Sequence, residues 1–318
     1  MENAMVRYIL RKIIISLLVM LGVSILTFCM GRLAPGDPID TVLSGIQNPS
    51  PEEIASAREY LGLDEALTVQ YLKWLEHVLS GDFGHSYKTG NPVAHELSIR
   101  LPQTMILAFS SAAVMLIIAF PLGIFSALHH NRFLDHAIRF FNVIAISVPS
   151  FCIGILLVLV LGVKHKFLPV MGSGSIKNLI MPSLSIGIGA GAGLARLIRS
   201  QILTFAEAEH VTAARVFGVK SRTILRNDIL KNAMPPIITN IGLLIGGMLG
   251  GSAIIETLFS WPGAGSYAVS AIYARDYPVI QAYALVMSAI YIVINILIEL
   301  SYCVAIPSVY VLGGQNEK

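Results

Sequence analysis

The stretch EAEHVTAARVFGVKSRTILRNDILKNAMPP, Glu207–Pro236, decides how the rest of the chain folds. It is charged, it reads as two short helices broken at Gly218, and it stands between two apolar runs. If those runs cross a membrane, the hairpin between them must lie in water on one face, and its positive charge says which face.

Composition supports the membrane reading. The 318 residues are 55% hydrophobic and only 13% charged, with a mean hydropathy of +0.72, too little charge to cover a soluble domain of this length. A net charge of +3 is too small to suggest a nucleic-acid partner. Cys29, Cys152 and Cys303 each sit inside an apolar run, without the C-x-x-C pairing of a thiolate site. Arg7, Arg11 and Lys12 precede an apolar run too long for a cleaved leader.

A hydrocarbon core of ~30 Å takes about 20 helical residues, and six segments qualify, at about 9–30, 104–127, 138–162, 179–198, 236–258 and 281–305. The fold class is therefore an all-α integral membrane protein with six transmembrane helices. Arg7, Arg11, Lys12, Arg132, Arg139 and the dense basic set from Arg196 to Lys231 fall on one side. That bias makes both termini cytoplasmic and puts the hairpin in the cytoplasm. The segment 163–178 runs against the rule, with Lys164, Lys166 and Lys177 on the outer side.

Four regions follow: an N-terminus and first span (1–31), an external helical subdomain (32–101), a membrane core (102–310) with a cytoplasmic loop at 199–235, and a tail (311–318). In the external part, Ser50, Pro51 and Glu53 form a capping-box pattern ahead of a face made by Ile54, Ala57 and Leu61, with Gly62 at the stop. A second helix carries Tyr71, Leu72, Leu75, Val78 and Leu79 on one side and ends at Gly81.

Several chemistries are missing. G-x-x-x-x-G-K-[ST], H-E-x-x-H and G-x-S-x-G do not occur. His129, His130 and His136 cluster without the acidic or thiolate partners of a metal site. No catalytic, cofactor or metal residue is expected. Glu256 and Glu299 are the acidic residues inside the spans and lie toward span ends, which argues against an ion-coupled secondary carrier or a channel, the alternative class. Glycines at four-residue spacing, Gly187/Gly191, Gly189/Gly193 and Gly242/Gly246/Gly250, mark close helix approach.

The hairpin also carries a motif. Glu209, Ala213, Ala214, Arg215, Gly218, Ile229 and Pro235 stand in the order of the cytoplasmic signature of binding-protein-dependent ABC importer permeases, and here the chain resembles the peptide and nickel group. "APGDPI" (34–39), "LGLD" (61–64), "QYLKWL" (70–75), "GDFGHSY" (81–87), "LPQT" (101–104), "VPSF" (148–151) and "ETLFSWPGAGSYAVSAIYARDYPVIQ" (256–281) extend the resemblance along the chain. Two departures stand out: Glu209 precedes Thr212-Ala213-Ala214 by three residues, and Ile306-Pro307-Ser308 replaces the family's closing motif.

The resemblance implies a permease subunit, not an enzyme, multi-pass in the cytoplasmic (inner) membrane. Its implied partners are a second permease, two ATP-binding subunits that hold ATP and magnesium, an extracytoplasmic binding protein and membrane lipid. "EHVTAARVFG" and "LPVMGSGS" are similar to nickel permeases, so the implied cargo is nickel or a nickel chelate, with di- or oligopeptides as the alternative. Glu207–Phe217 becomes a coupling helix whose ATPase contacts are Glu209, Val211, Ala213, Ala214, Arg215 and Phe217, with Gly218 as the turn. Leu225, Ile229 and Ala233 stripe the return helix, which Pro235 and Pro236 end. Trp261, Pro262 and Gly263 are the implied docking turn for the binding protein.

Overall fold

The computed structural model describes residues 2–33, 50–52, 55–56 and 64–305, of which 2–10, 32–33 and 299–305 are described by backbone alone. The expected face at Ile54, Ala57 and Leu61, Glu53 and Gly62 of its caps, "APGDPI", Ile306-Pro307-Ser308 and the tail lie outside the described residues. Among the described residues every regular element is a helix, with one isolated bridge between His85 and Pro92. Among the described residues, five helical runs are long and apolar enough to span a bilayer, or six with one bent pair counted as a span.

The chain divides into two compact units. The first comprises Met1–Gln103 and Pro262–Ile292. Helix α1 (Glu2–Leu33) meets α2 (Leu67–Leu79). The Phe28 ring lies 5.4 Å from Tyr71 and 5.6 Å from Trp74. The hydroxyls of Ser24 and Tyr71 are 2.8 Å apart. The inward face of α2 is thus Gln70, Tyr71, Trp74, Leu75 and Val78, whereas Leu72 and Leu79 of the expected face point outward. The start of α3 (Val93–Leu128) packs Val93 and Leu97 against Ala264 and Ala271 of α11 (Ala264–Ala274) and Val279 and Ala282 of α12 (Tyr277–Ala305). Helix α3 is continuous, so residues 93–101 share one helix with the second apolar run.

The second unit comprises Thr104–Trp261 and Val293–Lys318. Its third span is not the straight helix expected over 138–162. Helix α4 (Phe133–Ser147) stops where Val148 turns extended ahead of Pro149, as the clash of a proline ring with the preceding residue requires. Helix α5 (Ser150–Leu157) then continues through π turns over Val158–Lys164, and the pair is bent by 97°.

At the centre lies α6 (Ile176–Ala206), longer than the expected 179–198 and carrying Pro182 in its interior. It touches α4, α5 and the fifth span. Of its glycines, Gly187 and Gly191 face α3: a Cβ at Gly187 would stand 2.6 Å from a Val114 methyl and 3.0 Å from the Ser111 carbonyl oxygen. Backbones approach this closely only where side chains are absent. Gly193 faces open space.

Helix α7 (Glu209–Val216) follows, then α8 (Ser221–Ile224), π turns over Leu225–Leu230, α9 (Lys231–Gly251) and α10 (Ala253–Leu258). The return helix and fifth span are one run, Ser221–Gly251, so Pro235 and Pro236 do not end it. The π turns lie one turn upstream, where a change of register can absorb two missing donors. They also change the stripe. The buried positions are Ile224, Ile229, Ala233 and Ile237, with a five-residue step across the π segment that replaces Leu225 by Ile224.

Candidate functional site

The hairpin between α6 and α9 carries the motif residues. Residues 207–208 are not part of its first helix, which runs from Glu209 to Val216. The last turn closes by hydrogen bonds from Phe217 N to Ala213 O at 3.0 Å, Gly218 N to Arg215 O at 3.0 Å and Val219 N to Ala214 O at 3.1 Å. Gly218 then takes φ +76, the left-handed stop that a side chain resists.

Packing sorts the expected contact residues into two sets. Val211 is fully buried and so packs on its own chain, whereas Ala214 is half-buried and keeps part of its surface outward. The exposed set is Glu209, Ala213, Arg215 and Phe217, joined by Val216, which sequence reasoning missed. Val216 is 80% and Phe217 84% exposed, side by side at the tip of an otherwise charged hairpin. Adjacent positions on a helix diverge by about 100°, so no periodicity argument singles out Val216. An apolar knob of this kind in water has a cost unless something covers it.

The base of this hairpin is fixed by a buried ion pair. Arg199 on α6 donates to Asp135 on α4 with Nε at 2.7 Å and a terminal nitrogen at 2.8 Å. The fully buried carboxylate also accepts from Ser126 Oγ at 2.5 Å and Asn131 N at 3.0 Å. A two-pronged guanidinium–carboxylate pair with its remaining lone pairs occupied is the arrangement that makes a buried charge tolerable. His130 joins through Nδ1, 3.1 Å from an Arg199 nitrogen, and His129 Nδ1 lies 2.9 Å from the Phe125 carbonyl. Against expectation the histidines do have an acidic neighbour: Asp135 Oδ2 lies 4.0 Å from His130 Nδ1, although Arg199 already occupies that carboxylate. Among the described residues no His, Cys, Asp or Glu group is placed to hold a metal.

On the expected external side, Trp261 is 3% exposed and packs with Leu107, Met181, Ile255 and Phe259. Gly263 is buried too, and Pro262 alone of the three is exposed. Trp261 thus anchors its turn, with its N–H on the Glu256 carbonyl at 2.8 Å. The Glu256 side chain is fully buried and accepts from Thr104 Oγ1 at 2.8 Å and Ser252 Oγ at 2.7 Å.

The first unit has its own tie, not foreseen from sequence. Buried Asp276 accepts from Ser86 Oγ at 2.5 Å, Tyr87 N at 3.1 Å and Lys88 N at 3.3 Å. It clamps the "GDFGHSY" loop onto the α11–α12 junction. Nearby, Arg100 stacks on the Tyr267 ring at 4.6 Å, and burial raises the phenol's pKa above its ordinary value. The signal available was Asp276 two residues before Pro278, which reads only as a helix start.

Two family models match the chain. Residues 119–309 match the family described as "Binding-protein-dependent transport system inner membrane component". Residues 5–108 match "Binding-prot-dependent transport system membrane comp, N-term". The oligopeptide transport system permease protein AppB of Bacillus subtilis (strain 168) is 33% identical over 96% of this chain and 99% of its own. The glutathione transport system permease protein GsiC of Salmonella typhimurium (strain LT2) is 34% identical over 96% and 99%.

Proposed function

Since this chain belongs to the binding-protein-dependent transport system inner membrane components, and so is a permease of an ABC importer, we propose that it carries short peptides, glutathione-like tripeptides included, rather than nickel. Support for the cargo comes from its relatives, which are named for oligopeptides and glutathione. The local likeness to nickel permeases is the weaker guide.

In this reading the chain pairs with a second permease around the path and does no covalent chemistry. Two ATP-binding subunits supply the energy, and an extracytoplasmic binding protein delivers cargo. The observation that carries the coupling assignment is the exposed Val216–Phe217 knob on a helix stopped by Gly218. Such a knob fits a groove on an ATPase subunit. Closure of the ATPase pair would push α7, and the Asp135–Arg199 tie would pass that push to α4 and α6 as a rigid body.

The test is uptake of a radiolabelled tripeptide and of radioactive nickel in cells with and without the gene. Loss of peptide uptake alone is expected; loss of nickel uptake alone reverses the cargo. In parallel, Phe217→Ser should keep normal membrane levels but lower copurification of the ATPase at least ~10-fold, the scale of losing one well-buried aromatic anchor. Undiminished copurification removes the coupling role from this knob.

A further inference from the structure

The loop between α5 and α6 is the place where the chain departs from the charge bias, and nothing in the transport reading uses its lysines. It exposes Lys164, His165, Lys166 and Lys177. The sequence holds no acidic residue between Asp135 and Glu207, and among the described residues these lysines enter no ion pair. Interleaved with them are large apolar side chains turned outward: Phe167 is 69%, Met171 64% and Ile176 82% exposed.

The loop is built rather than loose. Phe167 N donates to Leu161 O at 2.8 Å, Gly172 N to Phe259 O at 3.1 Å and Asn178 Nδ2 to Met171 O at 2.8 Å. The His165 ring stacks on Phe167 at 5.3 Å. A Cβ at Gly162 would lie 2.6 Å from a Val170 methyl, so the loop is folded tightly back on the segment it leaves. Both ends emerge from spans, at Lys164 and Ile176. A short loop tied down at both ends stays in the interfacial layer, where apolar side chains reach the acyl boundary and lysines reach phosphate.

We propose that this loop, Val163–Lys177, is a binding surface for anionic phospholipid headgroups. Lys164, Lys166 and Lys177 meet the phosphodiester charge while Phe167, Met171 and Ile176 insert beneath it. An acidic protein partner would satisfy the lysines but would have to reach a surface flush with the bilayer and displace lipid from its apolar side chains. The inference rests on the membrane reading of the chain and holds whichever face the loop occupies.

The test uses the full-length protein in nanodiscs of phosphatidylcholine and phosphatidylglycerol, with a headgroup-photoactivatable analogue of each lipid and mapping of the crosslinked peptides. One lysine near an anionic surface gives about a fivefold preference. The 163–178 peptide should therefore favour phosphatidylglycerol at least ~10-fold with three lysines only partly engaged. The triple change K164Q/K166Q/K177Q should bring that preference to within ~2-fold, and the matching lysine-to-arginine set should keep it. Equal crosslinking of the two lipids in the wild type, or an unchanged preference in the glutamine set, overturns the proposal. So does a glutamine set that keeps its lipid preference but loses association with the binding protein. Should the glutamine set fail to insert, raising salt on the wild type decides: a falling preference supports the surface and a constant one refutes it.

Discussion

Gly218 and Asp135 each concentrate one physical constraint. A Cβ at Gly218 meets nothing within 4 Å, so any cost of substitution there comes from φ +76 alone. Asparagine tolerates that conformation and valine does not, by about 1–3 kcal/mol. Gly218→Asn should therefore keep uptake near normal. Gly218→Val should keep its membrane level but lose uptake, as substrate-stimulated ATPase activity reads out. Equal uptake in both variants removes the joint from the mechanism. Asp135 is different: Asp135→Asn leaves the Arg199 guanidinium short of its counterion in a buried setting, at a cost of about 3 kcal/mol. Thermal unfolding in detergent should show that loss, and Asp135→Asn/Arg199→Gln should lose less than the two single changes added together. The glycine was readable from its place in a signature. The ion pair was not, because a basic residue near a span end is equally well explained by charge bias until Asp135 is seen against it.

At the scale of elements, what the sequence conveyed depended on whether a helix was regular. Five of the six expected spans, the helix at Leu67–Leu79 and the break at Gly218 all follow from apolar length, periodicity or a stop residue. The π turns left no such mark. They turn a four-residue stripe into the step from Ile224 to Ile229, and they join two helices that Pro235 and Pro236 had seemed to separate. The glycine pairs of α6 were half readable, since spacing cannot tell which face meets a neighbour. That asymmetry is testable. Gly187→Leu would drive a side chain toward Val114 and the Ser111 carbonyl and should destabilise by about 1–3 kcal/mol. Gly193→Leu enters open space and exchanges a poor helix former for a good one, a gain of up to about 1 kcal/mol. Melting temperatures in detergent should move in opposite directions. Matching shifts would mean that α3 and α6 do not meet along this ridge.

For the whole molecule, the open count is five spans or six, and it turns on the bent pair α4–α5. A re-entrant segment would return to the side it left. The second unit argues otherwise. The first turn of α4 is tied by Asp135 to Arg199, while the π turns that finish α5 bring Val158 and Leu161 to the cluster around Met181. Met181 and Arg199 are both on α6, separated along its axis by about 27 Å at 1.5 Å per residue. That is close to the ~30 Å of a hydrocarbon core, so we expect the pair to run the depth of the bilayer despite its 97° bend. Three crossings would then separate Ser80 from Ser221, and the charge bias of the basic hairpin leads us to expect Ser221 in the cytoplasm. Both serines are exposed, so a cysteine at either is open to reagent. In a chain freed of Cys29, Cys152 and Cys303, an impermeant thiol reagent applied to cells with the outer membrane permeabilised, if they have one, should label Ser80→Cys. Ser221→Cys should react only after lysis. Labelling of both in intact cells, or of neither, would mean an even number of crossings and a re-entrant α4–α5. Labelling of Ser221→Cys alone would keep six spans and invert the protein, placing Lys164, Lys166 and Lys177 on the cytoplasmic leaflet and the Val216–Phe217 knob out of reach of any ATPase.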